Sequence, residues 1–250
     1  MTTIVLVTGA NKGIGFEISR QLSSSPYNYH VLMACRDPGR GETAAATLQG
    51  KGLSVEHVTL DVTDDDSIAA AAKAVEDKHG HIDVLVNNAG IIVEHLNDRS
   101  RRQAWKDTFD TNVFGVAAVT DAFVPLLKKS TDPAPRIVFV SSDVGRLVTK
   151  YDPQNKYFKR PYVVYRCSKT ALHMLALYYA ADFRAGWGAD GSGVEWKINV
   201  TCPGPTKTDF NNNAAERPVE DGAKNAVRLS VLGEDGETAQ ISGDEGIVPW

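Results

Sequence analysis

Cysteine is scarce in this chain, with three in 250 residues, at Cys35, Cys167 and Cys202. An odd number at such wide spacing makes neither a disulfide framework nor a zinc cluster, and it fits a reducing compartment. An excess of charge of one sign is also lacking. Twenty-seven Lys and Arg stand against 31 Asp and Glu, a formal net charge of -4. The chain therefore has no basic footprint of the kind that tracks a phosphate backbone, which argues against nucleic acid as a partner. No apolar run approaches the roughly 18 residues that a membrane-spanning helix needs. From Met1 the chain passes almost directly into Ile4-Val5-Leu6-Val7, without a basic leader or a long apolar segment. That start predicts a cytoplasmic protein with no membrane anchor. Internal repeats are missing, as are Pro/Ser/Gly linkers long enough to separate domains. What is there is a chain of one-domain size, residues 1–250, with 42% hydrophobic residues to build a core and a small soluble ligand as the favoured partner.

Short β-branched runs alternate with longer stretches of helical period. Strands are predicted at 3–8, 30–35, 55–60, 84–87, 136–141 and 197–201, with a last short one at 240–242. Helices are predicted at 13–24, 41–49, 67–79, 105–128, 165–184 and 219–232. This order points to βαβ units around a parallel sheet buried on both faces. The expected fold is α/β, a Rossmann-like doubly wound parallel sheet of about seven strands with helices on both faces, in a single domain. Asp64, Asp65 and Asp66 precede the third helix, where acids suit the positive helix end and Ser67 can cap it. The alanine run at 69–72 reads as a good helix former packed close on a sheet. Two segments look irregular: 146–164, with Lys150, Lys156, Lys159, Arg160 and three tyrosines, and the glycine-rich 187–193, which reads as a loop.

After the first strand comes Thr8-Gly9-Ala10-Asn11-Lys12-Gly13-Ile14-Gly15, followed at once by an amphipathic stretch. Glycines at a strand-to-helix turn let backbone N–H groups approach a pyrophosphate seated at the positive end of the helix dipole. The spacing G-x-x-x-G-x-G departs from the commonest dinucleotide fingerprint, and an ordinary glycine-rich turn is the competing reading. The second strand ends in Ala34-Cys35-Arg36-Asp37, where the adenine ribose of a dinucleotide would lie. An acid there binds the 2′-hydroxyl of NAD, whereas an arginine pairs with the extra phosphate of NADP. Arg36 is nearer the strand end and Lys12 adds positive charge on the same side, so these residues favour NADP(H). Asp61, followed by Val62, ends the third strand either as an acceptor for adenine or as a turn cap. Asn87-Asn88-Ala89-Gly90 ends the fourth and either carries the chain past the cofactor or forms a plain turn.

Tyr165 and Lys169 open a helix in Tyr165-Arg166-Cys167-Ser168-Lys169, and the i, i+4 spacing puts phenol and ammonium on one face. A nearby cation lowers the phenol pKa toward the range useful for proton transfer. That spacing alone arises by chance in many helices. Its weight comes from Val138-Phe139-Val140-Ser141-Ser142, an apolar strand ending in two hydroxyls at the carboxyl edge of the sheet, where open α/β folds bind ligands. Either serine is a possible cap; Ser142 is better placed to orient a carbonyl, being clear of the strand.

Together these pieces resemble the single-domain short-chain dehydrogenase/reductase family over essentially the whole chain. They are TGANKGIG at 8–15, NNAG at 87–90, Asn112 in TNVFG, serines 141 and 142, YRCSK at 165–169 and CPGPTKTD at 202–209. Within the family the chain is most similar to fungal and animal NADPH-dependent carbonyl reductases, in ACRDPGRG after the second strand, PVEDGA at 218–223 and the tail ending Pro249-Trp250. The resemblance implies that Tyr165 protonates a substrate oxygen, that Ser142 hydrogen-bonds it, that Lys169 binds the nicotinamide ribose and depresses the tyrosine pKa, and that Asn112 holds a water in the proton relay. It also implies that Asn88, Ala89 and Gly90 border the cofactor, and that Pro203, Gly204, Thr206 and Thr208 line its nicotinamide end, Thr208 bonding the carboxamide. The implied reaction is hydride transfer between NADP(H) and a ketone or aldehyde. Oxidation of an alcohol is the reverse alternative. A non-catalytic NADP-binding sensor or scaffold would be expected to lose Tyr165 or Lys169, and both are present.

The stretch between Ser142 and Tyr165 is longer than the minimal family pattern and shorter than the insertion of mammalian monomeric carbonyl reductases. Tyr151, Tyr157, Phe158 and Tyr162 within it either shape the pocket or form a surface flap. The same departure leaves both a homo-oligomer, paired through the helices near Trp105 and Tyr165, and a monomer open. A short polar segment at 210–217, with Asn211-Asn212-Asn213, stands where the family builds its lid and points to an open pocket for bulky carbonyls.

Overall fold

The computed structural model describes residues 2–94, 100–184, 194–243 and 245–250. The loop expected at 187–193 lies outside these. Short, largely β-branched runs form β1 (Ile4–Thr8), β2 (His30–Cys35), β3 (Val55–Thr59), β4 (Val84–Asn87), β5 (Arg136–Val140), β6 (Lys197–Thr201) and β7 (Ile241–Gly243). All seven are parallel, in the order β3-β2-β1-β4-β5-β6-β7, and β8 (Gly246–Val248) turns back antiparallel on β7. The expected parallel sheet of about seven strands is present, and β8 extends it to eight. The last pair is a hairpin of three-residue strands, too short for a periodic signal.

Side chains that alternate along each strand feed two cores. Val5, Val7, Val31, Met33, Val84 and Val86 face α1 (Gly13–Ser23), α2 (Pro38–Gln49) and α8 (Val219–Ser230). Leu6, Leu32, Leu85, Ile137, Phe139 and Ile198 face α3 (Asp65–His79), α5 (Gly115–Leu127) and α7 (Val163–Asp182). The strand order reverses between β1 and β4, the position where open α/β sheets bind ligands at their carboxyl edge.

Several helix ends differ from the sequence reading for local reasons. The α2 helix starts at Pro38, because Asp37 accepts from the Arg40 N–H at 3.0 Å and proline suits the first helical position. Asp64, not Ser67, caps α3; it accepts from the Ser67 N–H, while the Ser67 hydroxyl accepts from Asp61 N–H. The single helix expected at 105–128 begins earlier, as α4 (Arg101–Phe109), and widens into a π-turn (Asp110–Phe114) before α5. At the junction Gly115 has no side chain, and a Cβ there would stand 2.2 Å from the Val62 carbonyl. A short α6 (Val148–Tyr151) lies in the irregular segment, and α7 starts at Val163, after Tyr162 in the left-handed region at φ 61°. Among the described residues no helix is long and apolar enough to cross a membrane.

Phe123 on α5 is fully buried in the core between this helix and the sheet. Phe123→Ala should cost about 3–5 kcal/mol, read in urea unfolding as a lower midpoint at an unchanged slope.

Candidate active site

The turn after β1 carries Gly9 at φ 64° and Gly13 at φ 57°, backbone that side-chain-bearing residues rarely adopt. A Cβ on Gly15 would stand 2.4 Å from Asn88 Nδ2 and 2.5 Å from the Gly9 carbonyl. This close approach lets the turn after β4 buttress the turn after β1. Asn88 Nδ2 donates to the carbonyls of Thr8 (2.8 Å) and Gly9 (3.3 Å), and the Thr8 hydroxyl accepts from the N–H groups of Asn88 and Ala89, each at 3.0 Å. Lys12 at the N-cap of α1 makes no side-chain cap bond, so no cap of its own screens that helix end. Open N–H groups, a helix dipole and a glycine-lined floor fit a dinucleotide pyrophosphate.

Across the crevice, Lys12 Nζ pairs with Asp209 at 3.1 Å, linking the glycine turn, with Asn11 and Ile14 in it, to the loop after β6. Arg36 lies exposed just past β2. Its acidic neighbour Asp37 is engaged in capping α2 and lies 3.5 Å from Arg40. The Asp61 carboxylate accepts from the N–H and hydroxyl of Thr63, at 3.0 and 2.8 Å, so it caps a turn, and Val62 beside it is buried under Gly115.

Ser142 follows β5 as the N-cap of a short 3₁₀ turn (Asp143–Gly145), with its hydroxyl 3.5 Å from the Val144 N–H. Tyr165 and Lys169 occupy the first two turns of α7, whose start is held by the Glu94 carboxylate accepting from the Tyr165 N–H at 2.7 Å. Lys169 Nζ donates to the Val140 carbonyl at 3.0 Å and lies 5.6 Å from the centre of the Tyr165 ring. Burial pushes the Tyr165 phenol well up, against the opposing bond with Ser142, and lowers Lys169 to about 8. Loss of water thus outweighs the Ser142 bond and favours the protonated phenol.

Asn112 lies fully buried in the π-turn, a feature that often marks functional positions. Its Oδ1 accepts from Ile91 N–H at 2.8 Å, and its Nδ2 donates to the Ile91 carbonyl at 2.9 Å and to Ser168 Oγ at 3.1 Å. A Cβ on Gly90 would be 3.4 Å from Asn112 Oδ1 and 3.7 Å from Lys169 Nζ, so both side chains converge on this bare turn. Opposite, Pro203 and Gly204 lead into Thr206, which is buried with its hydroxyl 3.2 Å from both of their carbonyls. Thr208 caps a 3₁₀ turn (Asp209–Asn211). From that turn the Phe210 ring lies 5.6 Å from the Tyr165 ring, tilted by 60°.

Three contributors were not read from the sequence. Glu94 stands 71 positions before the N–H it caps, and Phe210 reaches Tyr165 across the loop after β6; neither leaves a local signal. His173, whose Nε2 is 2.8 Å from Ser141 Oγ, did leave one, because it falls one turn past Lys169 on the same helix. In the 146–164 segment Tyr151 lies in solvent. Arg146, Leu147, Lys150, Arg160 and Tyr162 line a groove of about 410 Å³ beside the start of α7.

The family model described as short chain dehydrogenase matches residues 3–218. The chain is 36% identical over 262 residues to a short-chain dehydrogenase/reductase of Stachybotrys chlorohalonatus, covering 98% of this chain and 89% of the relative. To carbonyl reductase (NADPH) 1 of Mus musculus it is 31% identical over 280 residues, covering 99% and 98%. The solved structure of NADPH-bound carbonyl reductase from chicken fatty liver superposes with a TM-score of 0.83 at 28% identity, covering 100% of this chain and 99% of that one.

His173 is held to about 4 by burial, helped by Lys169 and Arg146, against 6.5 in an unfolded chain. The unfolded state therefore binds the extra proton between those values. Its contribution to stability is complete above pH 6.5 and falls by about 3 kcal/mol as pH drops through 6.5 toward 4. Urea unfolding across this range should be visibly flatter in His173→Gln, and an equal slope in both proteins would remove the histidine from the account.

Proposed function

We propose a function from one premise: this chain belongs to the short-chain dehydrogenase family. It is a cytoplasmic carbonyl reductase, a single unit over residues 1–250, that uses NADP(H) to reduce a ketone or aldehyde to the alcohol. The observation that carries this reading is the meeting of Ser142, Tyr165 and Lys169 at the carboxyl edge, next to the bare turn at Gly90. The mouse and chicken relatives, named as NADPH-dependent or NADPH-bound carbonyl reductases, support the cofactor and the substrate class.

The cofactor, when bound, supplies the hydride. The N–H groups of Gly9, Asn11, Lys12, Gly13, Ile14 and Gly15 hold its pyrophosphate at the α1 N-terminus. Arg36 pairs with the 2′-phosphate, while Asp61 and Val62 border the adenine and Asn88, Ala89 and Gly90 border the riboses. Pro203, Gly204, Thr206 and Thr208 form the wall of the nicotinamide end.

Ser142 Oγ donates a hydrogen bond to the substrate carbonyl and orients it. Tyr165 then gives its phenolic proton to the oxygen as negative charge develops there. A phenol that keeps its proton suits reduction; oxidation of an alcohol would need the phenolate. Lys169, with a pKa brought near neutrality by burial, stands ready to pass a proton back to Tyr165. Asn112 holds the water that replenishes it, in the space the absent Gly90 side chain leaves. Phe210 covers the phenol and excludes bulk solvent from the reacting atoms.

NADPH oxidation measured against aldehydes, aromatic ketones, quinones and keto esters tests the reading. Turnover is expected in at least one class; inactivity across the panel with NADPH still bound would make the protein a binding module. Tyr165→Phe should lower turnover by roughly 10²–10⁴-fold with cofactor affinity nearly intact, and a rate close to the parent's would dismiss the assigned acid. Arg36→Leu should weaken NADPH binding roughly 10- to 100-fold, the equivalent of about 1.5–3 kcal/mol for a hydrogen bond to a charged group, with little change for NADH. Equal losses for the two cofactors would remove the phosphate contact.

A further inference from the structure

We propose that His30, Glu56 and His79 form a binding site for a divalent transition metal of the zinc class, at the end of the sheet remote from the reaction. His30 opens β2 and Cys35 closes it, so the cluster stands about 17 Å from the nucleotide edge at roughly 3.3 Å per strand residue. The topology brings the three together. His30 and Leu32 point to one face of β2, Glu56 is the β3 partner of Leu32, and Leu32 packs in the core covered by α3. His79 lies in the last turn of α3, which descends onto that same face.

The three ligand atoms lie within 4.8 Å of one another. Glu56 Oε1 is 2.7 Å from His79 Nε2, and Glu56 Oε2 is 3.9 Å from His30 Nε2. A tetrahedral ion with bonds of about 2.0–2.1 Å sets its ligand atoms roughly 3.4 Å apart, which these side chains reach with shifts of about an ångström or less. They are also sheltered, with side chains 23%, 20% and 13% exposed. The outer nitrogen of His30, Nδ1, is 2.8 Å from Ser54 Oγ. Such an outer partner fixes an imidazole and leaves its other nitrogen aimed at the ion. Two imidazoles and one carboxylate select zinc-type ions over magnesium or calcium, which favour all-oxygen sets. A fourth position stays open for water.

Glu56 also takes a bond from Lys78, whose side chain is 64% exposed. An entering dication displaces that ammonium into solvent, so metal and Lys78 compete for one carboxylate. Bound, the ion ties the starts of β2 and β3 to the end of α3, and stabilises the fold by mass action. None of these residues takes part in the reaction proposed above, and the two readings stand or fall separately.

The test uses the untagged full chain, freed of metal by a chelator, titrated calorimetrically with Zn(II) and by visible absorption with Co(II). One equivalent of each should bind, and Zn(II) should raise the Tm by several degrees. His79→Gln and Glu56→Gln should each weaken binding at least tenfold, while Lys78→Gln, which alters only a solvent-facing rival, should strengthen it several-fold. The last variant leaves the fold intact even where the other two disturb it. Absence of stoichiometric binding overturns the proposal, as do thiolate charge-transfer bands with Co(II), affinity unchanged in His79→Gln and Glu56→Gln, or affinity that fails to rise in Lys78→Gln.

Discussion

The contact between the turns leaving β1 and β4 is what the rest of the site depends on. The Thr8 hydroxyl accepts two N–H groups from the second turn, and the Asn88 amide returns two bonds to carbonyls of the first. Gly15 lets them meet, since a single methyl there would collide with both Asn88 and Gly9. With the two turns locked, the N-terminus of α1 stays open and aimed at the crevice. A dinucleotide cradle is therefore a consequence of strand order: adjacent parallel strands whose connections leave in opposite directions cannot fill the space between them.

On the other side of β4, burial sets the electrostatics. Tyr165 and Lys169 both lose water, which raises one pKa and lowers the other, so each drifts toward its neutral form. On the proposed reading, a phenol that keeps its proton, beside a lysine whose pKa of about 8 leaves it able to give one up, is a donor that waits for negative charge to arrive. Glu94 at the start of α7 anchors the helix that carries both groups. Behind them the last residues of the chain close the structure: Arg146 donates to the Pro249 carbonyl at 2.6 Å, Trp250 donates to the Ala239 carbonyl at 3.2 Å, and its ring stands 6.1 Å from His173. The turn that presents Ser142 is thus held by the tail as well as by the sheet.

Much of this was determined by the sequence itself. Short β-branched runs bounded by glycine and polar turns define β1, β2, β4 and β5, whose centres are buried on both faces and so are apolar. The order of TGANKGIG, NNAG, the paired serines and YRCSK fixes which groups reach the carboxyl edge. Tyr165 and Lys169 share a face because a helix repeats every 3.6 residues. Tertiary structure alone decided the rest, because those contacts join positions far apart in the chain. The widened turn at Asn112 depends on Gly115 pressing against Val62, and the capping of Tyr165 on a carboxylate 71 residues away. The protonation of the phenol depends on how much water the packed loops exclude, and the clustering of His30, Glu56 and His79 depends on strand register and on where α3 ends. Periodicity and composition record local preference; distance, register and solvent exclusion exist only once the chain has closed on itself.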